Sequence, residues 1–130
     1  DLARLGPLAE HAALFPQRVN LSVVSRIGDA AFRMRVWERG VGITMACGSG
    51  ACAVGAAVVR CGLGPRSNRI VMDGGTVGID WNSEADEIVC SLQPRTDRHA
   101  HSGHDHMGTT MTTPLLVTSI EAVQAGSQFT

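Results

Sequence analysis

Cys47 sits inside the run ERGVGITMACGSGA, from Glu38 to Ala51, where glycines bracket a thiol just ahead of a stretch of small residues. A helix beginning there offers backbone N–H groups with no acceptor inside the helix, together with the positive end of the aligned peptide dipoles. Both favour negative charge, by ~0.3–1 kcal/mol as a rule and by up to ~2 kcal/mol when partly buried. A thiol in such a place becomes a proton carrier, and the same N–H groups can hold an anionic substrate, carboxylate or phosphate. The legible chemistry is proton transfer beside a bound anion. Nucleotide binding is the weaker form of it, because GVGITMACGSGAC lacks the lysine and hydroxyl of a P-loop and the spacing of GxGxxG. Cys52, Cys61 and Cys90 read as small-residue packing. The spacing Cys47-x4-Cys52-x8-Cys61 has none of the close CxxC pairs of a structural zinc site, so no metal is expected.

The elements that must position this thiol follow from periodicity. Ala51 to Cys61 carries mostly Ala, Val, Cys and Gly on every face, which predicts a buried helix. Gly62 is placed for a left-handed C-terminal cap, Leu63 for the accompanying apolar contact, and Pro65 forbids continuation. Val19, Leu21 and Val23 alternate with polar neighbours, as do Phe32, Met34 and Val36, predicting two half-buried strands joined through Gly28-Asp29. Arg69 to Met72 and Thr76 to Trp81 flank Asp73-Gly74-Gly75 as a hairpin, and Glu87 to Leu92 returns after a polar turn at Asn82 to Asp86. Asp1 caps a short helix with Leu2, Leu5 and Leu8 on one face, disturbed by Gly6-Pro7. Small side chains let strands approach the second helix closely. The expected fold is therefore α+β, a strongly curved, mostly antiparallel β-sheet wrapped around one central small-residue helix, with Cys47 at its mouth.

At 130 residues and a formal net charge of -1 the chain fits one core and shows no electrostatic footprint for nucleic acid or an acidic membrane. No apolar run approaches the ~18 residues of a membrane span, and with Asp1 in first place no signal peptide is legible. Cysteines clustered in one small-residue segment argue for a reducing cytoplasm rather than a disulfide framework. All eleven basic residues are arginine. Without lysine, pyridoxal phosphate has no Schiff-base partner, and no cofactor is expected.

The pattern ERGxGxTxACGxGA resembles the diaminopimelate epimerase family. DLARLGPLAEHAALFPQRVN from Asp1 to Asn20, the arm RVWERG and the hairpin IVMDGGTVGIDW resemble that family's second half in order and spacing, as far as about Val89. The resemblance implies a cofactor-independent isomerase that inverts one α-carbon of L,L-diaminopimelate to the meso form, on the bacterial route to lysine and peptidoglycan. Inversion needs a base on one face of the carbon and an acid on the other. The family uses two cysteines for this. Cys47 matches one, and the other belongs to a homologous first half, which makes residues 1–92 one half of a pseudo-symmetric two-domain fold. By the same resemblance the backbone N–H groups of Gly48 and Ser49 hold the reacting carboxylate, Glu38 and Arg39 read the far amino and carboxylate groups, and Asn20 binds substrate. Ser49 stands where threonine is commoner. Proline racemase and the phenazine-biosynthesis isomerases share the architecture and form the nearer alternative, a non-catalytic fragment the other. The implied partners are a small-molecule substrate and the missing first half, with a homodimer left open. From about Ser91 the chain departs from the pattern, and residues 93–130, with His99, His101, His104 and His106, read as a mobile tail able to chelate nickel or zinc loosely.

Overall fold

The computed structural model describes residues 1–82 and 84–93, together with the strands Met111–Thr113 and Ser119–Gln124. The elements run α1 (Leu2–Glu10), β1 (Asn20–Gly28), β2 (Ala31–Glu38), β3 (Gly42–Thr44), α2 (Gly48–Arg60), β4 (Ser67–Met72), β5 (Gly75–Asn82), β6 (Glu87–Gln93), β7 (Met111–Thr113) and β8 (Ser119–Gln124). They form one mixed sheet in the order β7-β6-β5-β4-β2-β1-β8, with β3 paired to β2 beside that path. Most pairs are antiparallel, and β2 with β4 and β1 with β8 are parallel. The α+β class stands, with two helices among the described residues. The predicted His-rich tract lies outside the described residues.

α2 lies across β1, β4, β5 and β6. Val54, Val58, Ala51 and Ala56 are buried there with Val24, Phe32, Met34, Val36, Ile70 and Ile79. The helix comes close because Gly55 has no side chain: a Cβ there would stand 2.5 Å from Cγ2 of Ile79. Its C-terminus is a Schellman motif. Gly62 takes φ +70°, its N–H donates to the Val59 carbonyl at 3.0 Å, and the Leu63 N–H donates to the Val58 carbonyl at 2.8 Å. Leu63 then packs against the core, as its position after the cap predicts.

Two expectations about faces are corrected. In β1 the residues wholly buried toward α2 are Ser22 and Val24, opposite Val36 and Met34, rather than Val19, Leu21 and Val23. Val19 and Leu21 are buried as well, on the other side, where α1 covers β1 and β2. In α1, capped by the Asp1 carboxylate accepting from Arg4 N at 3.3 Å, only Leu2 of the predicted apolar stripe is buried. Leu5 and Leu8 are 39% and 63% exposed, and the face turned to the sheet carries Gly6 and Glu10. Gly6 lies on Trp37 so closely that a Cβ would stand 2.2 Å from Cδ2.

The edge of β2 is shared. Ala31 to Arg33 pair with β4, whereas Val36 to Glu38 pair with β3, so the sheet forks between those two strands. Met45, Ala46 and Cys47 follow β3 and lead into α2. The β4–β5 turn holds them, with Gly74 N donating to the Met45 carbonyl at 2.7 Å. Asp73 in the same turn pairs with Arg33 and with Arg35.

Candidate active site

Cys47 is the N-cap of α2. Its backbone is extended (φ -146°, ψ 106°), which is the conformation that turns an N-cap side chain back toward the helix start. Sγ accepts from the Gly50 N–H at 3.4 Å and lies 3.5 Å from Oγ of Ser49. The Cys47 N–H points to Sδ of Met72 at 3.4 Å, and the Cys47 carbonyl accepts the first intrahelical bond, from Ala51 N at 2.9 Å. The residue is 8% exposed. Helix geometry leaves the N–H groups of Gly48 and Ser49 without an intrahelical acceptor, and both residues are exposed. The structure thus places the thiol and these two residues together at one helix end.

Glu38, Arg39 and Asn20 form a second group. Oδ1 of Asn20, at the start of β1, accepts from the Arg39 N–H at 2.8 Å, which leaves the side-chain nitrogen as the end that can meet a ligand. The Arg39 guanidinium is exposed and donates through Nη1 to the Gln17 carbonyl at 3.0 Å. Glu38 accepts from the Thr44 hydroxyl at 2.5 Å. Thr44 precedes Cys47 by three residues, so their Cα atoms are at most about 11 Å apart. β3 is the bridge between the groups.

Sequence reasoning missed the carboxylate beneath the second group. Glu10 is 3% exposed. Its Oε2 accepts from the Trp37 indole N–H at 2.7 Å, its Oε1 accepts from the Gly40 N–H at 2.8 Å, and Arg18 approaches at 3.4 Å. The indole bond is the largest influence holding this carboxyl below the usual carboxylate range, helped by the Gly40 N–H and by the nearby His11 and Arg18, against burial, which pushes it up. The signal in the sequence is slight: an acid four residues beyond Gly6 on a short helix. Met72 and Thr44 were missed too, because a thioether acceptor and a strand hydroxyl leave no motif.

The other thiols, and a cavity at the far end of β4, stand apart from the site. Cys52 and Cys90 are buried in the core as packing residues, whereas the same expectation for Cys61 is corrected: it caps the end of α2 and is exposed, and all four cysteines are free thiols. Burial pushes Cys52 up to about 12 and raises Cys90 as well, so both are packing residues held protonated. A cavity of about 320 Å³ is lined by Gly28, Asp29, Ala31, Ser67, Asn68 and Gln93 among others, at the end of β4 opposite Met72. It contains no thiol. No trio of His, Cys, Asp or Glu able to hold a metal occurs among the described residues, nor does a helix long and apolar enough to cross a membrane.

Comparison with known proteins reaches the same region. The family model for diaminopimelate epimerase matches residues 1–95. A diaminopimelate epimerase of Magnetococcus marinus is 50% identical over 91 residues, 70% of this chain and 32% of the relative. Those of Rhodospirillum centenum and Bacteroides thetaiotaomicron are 52% and 48% identical over 89 residues each, 68% of this chain and 31% and 33% of the relatives. The chain therefore spans about a third of the length of the curated relatives it matches. With the family model covering most of its residues, the chain belongs to the diaminopimelate epimerase family.

Proposed function

We propose that this chain is one proton-transfer wall of a cofactor-independent diaminopimelate epimerase, with Cys47 acting on one face of the α-carbon. The observation that carries the reading is the thiol at an N-cap beside Gly48 and Ser49, two exposed residues whose amides have no acceptor inside the helix. The α-carboxylate of L,L- or meso-diaminopimelate would lie on the Gly48 and Ser49 N–H groups. One thiolate removes the α-proton, the electron pair left behind spreads onto that carboxylate, and a thiol on the opposite face returns a proton to carbon. The amides act where that charge develops, which is where fixed dipoles accelerate a reaction most. Glu38 would take the distal ammonium group and Arg39, through its planar fork, the distal carboxylate, with the Asn20 amide beside them.

The second thiol, and the other wall of the cleft, would come from the first half of the pseudo-symmetric two-domain fold, within the length of the relatives that this chain does not span. Residues 1–92 are then the second-half domain and residues 93–130 a divergent tail, two strands of which, Met111–Thr113 and Ser119–Gln124, pair with β6 and β1. A chain of free thiols and a lysine-biosynthetic role fit a reducing cytoplasm. The partial span also favours a second reading, a fragment that binds diaminopimelate without turning it over.

Incubation with L,L-diaminopimelate in heavy water separates these. Deuterium entering the α-carbon without net inversion is the expected result, since one face alone returns the proton to where it came from. Inversion by the 130-residue chain would overturn the half-site reading, and absence of any exchange would favour the non-catalytic fragment.

A further inference from the structure

We propose that Glu10 is the positioning residue of the Glu38–Arg39 corner, and that through this corner it sets how tightly the distal end of a diaminopimelate-like ligand is held. The inference rests on the site reading above and adds to it a residue that the reading leaves without a role. Glu10 is too buried to touch a ligand. Its two oxygens are spent instead on the groups that flank the corner, the Trp37 indole on one side and the Gly40 N–H on the other.

Packing alone does not hold that corner. Gly40 takes φ +74° and a Cβ on it would meet nothing within 4 Å. Its place is fixed by hydrogen bonds: Gly40 N to Glu10, Arg39 N to Asn20, and Val41 N to the Glu38 carbonyl at 3.1 Å. The side of α1 facing the sheet is built for the reach. Gly6 lets the helix lie flat on the Trp37 ring, and Glu10, one turn further along the same face, meets the indole nitrogen. A buried carboxylate is tolerated only when its lone pairs are used, and here donors reach both oxygens, with Arg18 alongside. Both main partners are donors. Glu10→Gln therefore turns one of the two bonds into a contact between two donors, although size and shape are kept.

The test uses the full chain, labelled with ¹⁵N and titrated with meso-diaminopimelate, as wild type, E10Q and W37F. In E10Q the Arg39 and Gly40 amides should shift and exchange faster, and affinity should fall about tenfold, the usual loss for one bond to a charged group. At saturation the Gly48 and Ser49 amides should match those of wild type. W37F removes the indole donor but keeps an aromatic ring on Gly6, and should give the same pattern in smaller size. Unchanged Arg39 and Gly40 amides in E10Q, or unchanged affinity despite a loosened corner, would overturn the proposal. A wild-type chain whose Gly48 and Ser49 amides ignore the ligand would overturn the site reading itself, a different result from E10Q behaving like wild type.

Discussion

Replacing Cys47 by serine and by alanine separates its two duties, capping α2 and moving a proton. The cap rests on one bond, Gly50 N to Sγ at 3.4 Å. Alanine cannot accept it, and loss of an N-cap acceptor costs about 1 kcal/mol. Removing the sulfur also empties a volume at the edge of the Cys47, Met34 and Met72 cluster, at a cost similar to one buried methylene, again about 1 kcal/mol. Cys47→Ala should therefore lose about 2 kcal/mol, a shift of about 1 M in the urea midpoint for a slope of about 2 kcal/mol/M. Serine is a preferred N-cap, and its hydroxyl can take the same Gly50 bond with Ser49 beside it. Cys47→Ser should lose no more than half as much. Neither variant should place deuterium on diaminopimelate in heavy water, because a serine hydroxyl is far too weak an acid to replace the thiol. Exchange surviving in Cys47→Ser would remove the sulfur from the chemistry. An alanine variant as stable as wild type would refute the capping geometry.

Gly62→Ala should cost about 1 kcal/mol by the same denaturation assay, since a Cβ there meets nothing and the penalty is the left-handed backbone alone. Iodoacetamide should modify Cys61 at once in the native chain and reach Cys52 and Cys90 only on unfolding, as read by mass spectrometry of tryptic peptides. Because burial raises Cys52 to about 12, the unfolded chain releases a proton in alkali that the folded chain keeps. Stability should accordingly fall as the pH rises from the ordinary thiol value of 9.0 toward that point.

Much of the framework is legible in local chemistry. Gly62, Leu63 and Pro65 mark the end of α2 because each acts on its own turn of backbone, and Asp73-Gly74 bends β4 into β5 for the same reason. The inward face of β1 is not legible. Its strand is covered by α2 on one side and α1 on the other, so polar alternation carries no information about which residues meet the central helix, and Ser22 is buried while reading as exposed. Leu5 and Leu8 mislead similarly: α1 is anchored by a glycine that fits an indole and by a carboxylate, neither of which registers as hydrophobic. At the candidate site, the proximity of Cys47 to the Gly48 and Ser49 amides follows from sequence adjacency and is readable. The tie from Asn20 to Arg39 spans the β1–β2 hairpin and depends on register, and Glu10 depends on a helix docking that no periodicity encodes.

The fork between β3 and β4 leaves the reactive sulfur on a tripod. One leg runs from the β4–β5 turn through Gly74 to Met45, one from the last residue of β4 through the Met72 thioether to the Cys47 amide, and one from the helix itself through Gly50. Three legs from separate stretches of polypeptide admit one resting place. Such a mount tolerates little drift in any one leg, and changes at Met72 or Gly74, remote in sequence, should be felt at the sulfur as misalignment rather than as unfolding.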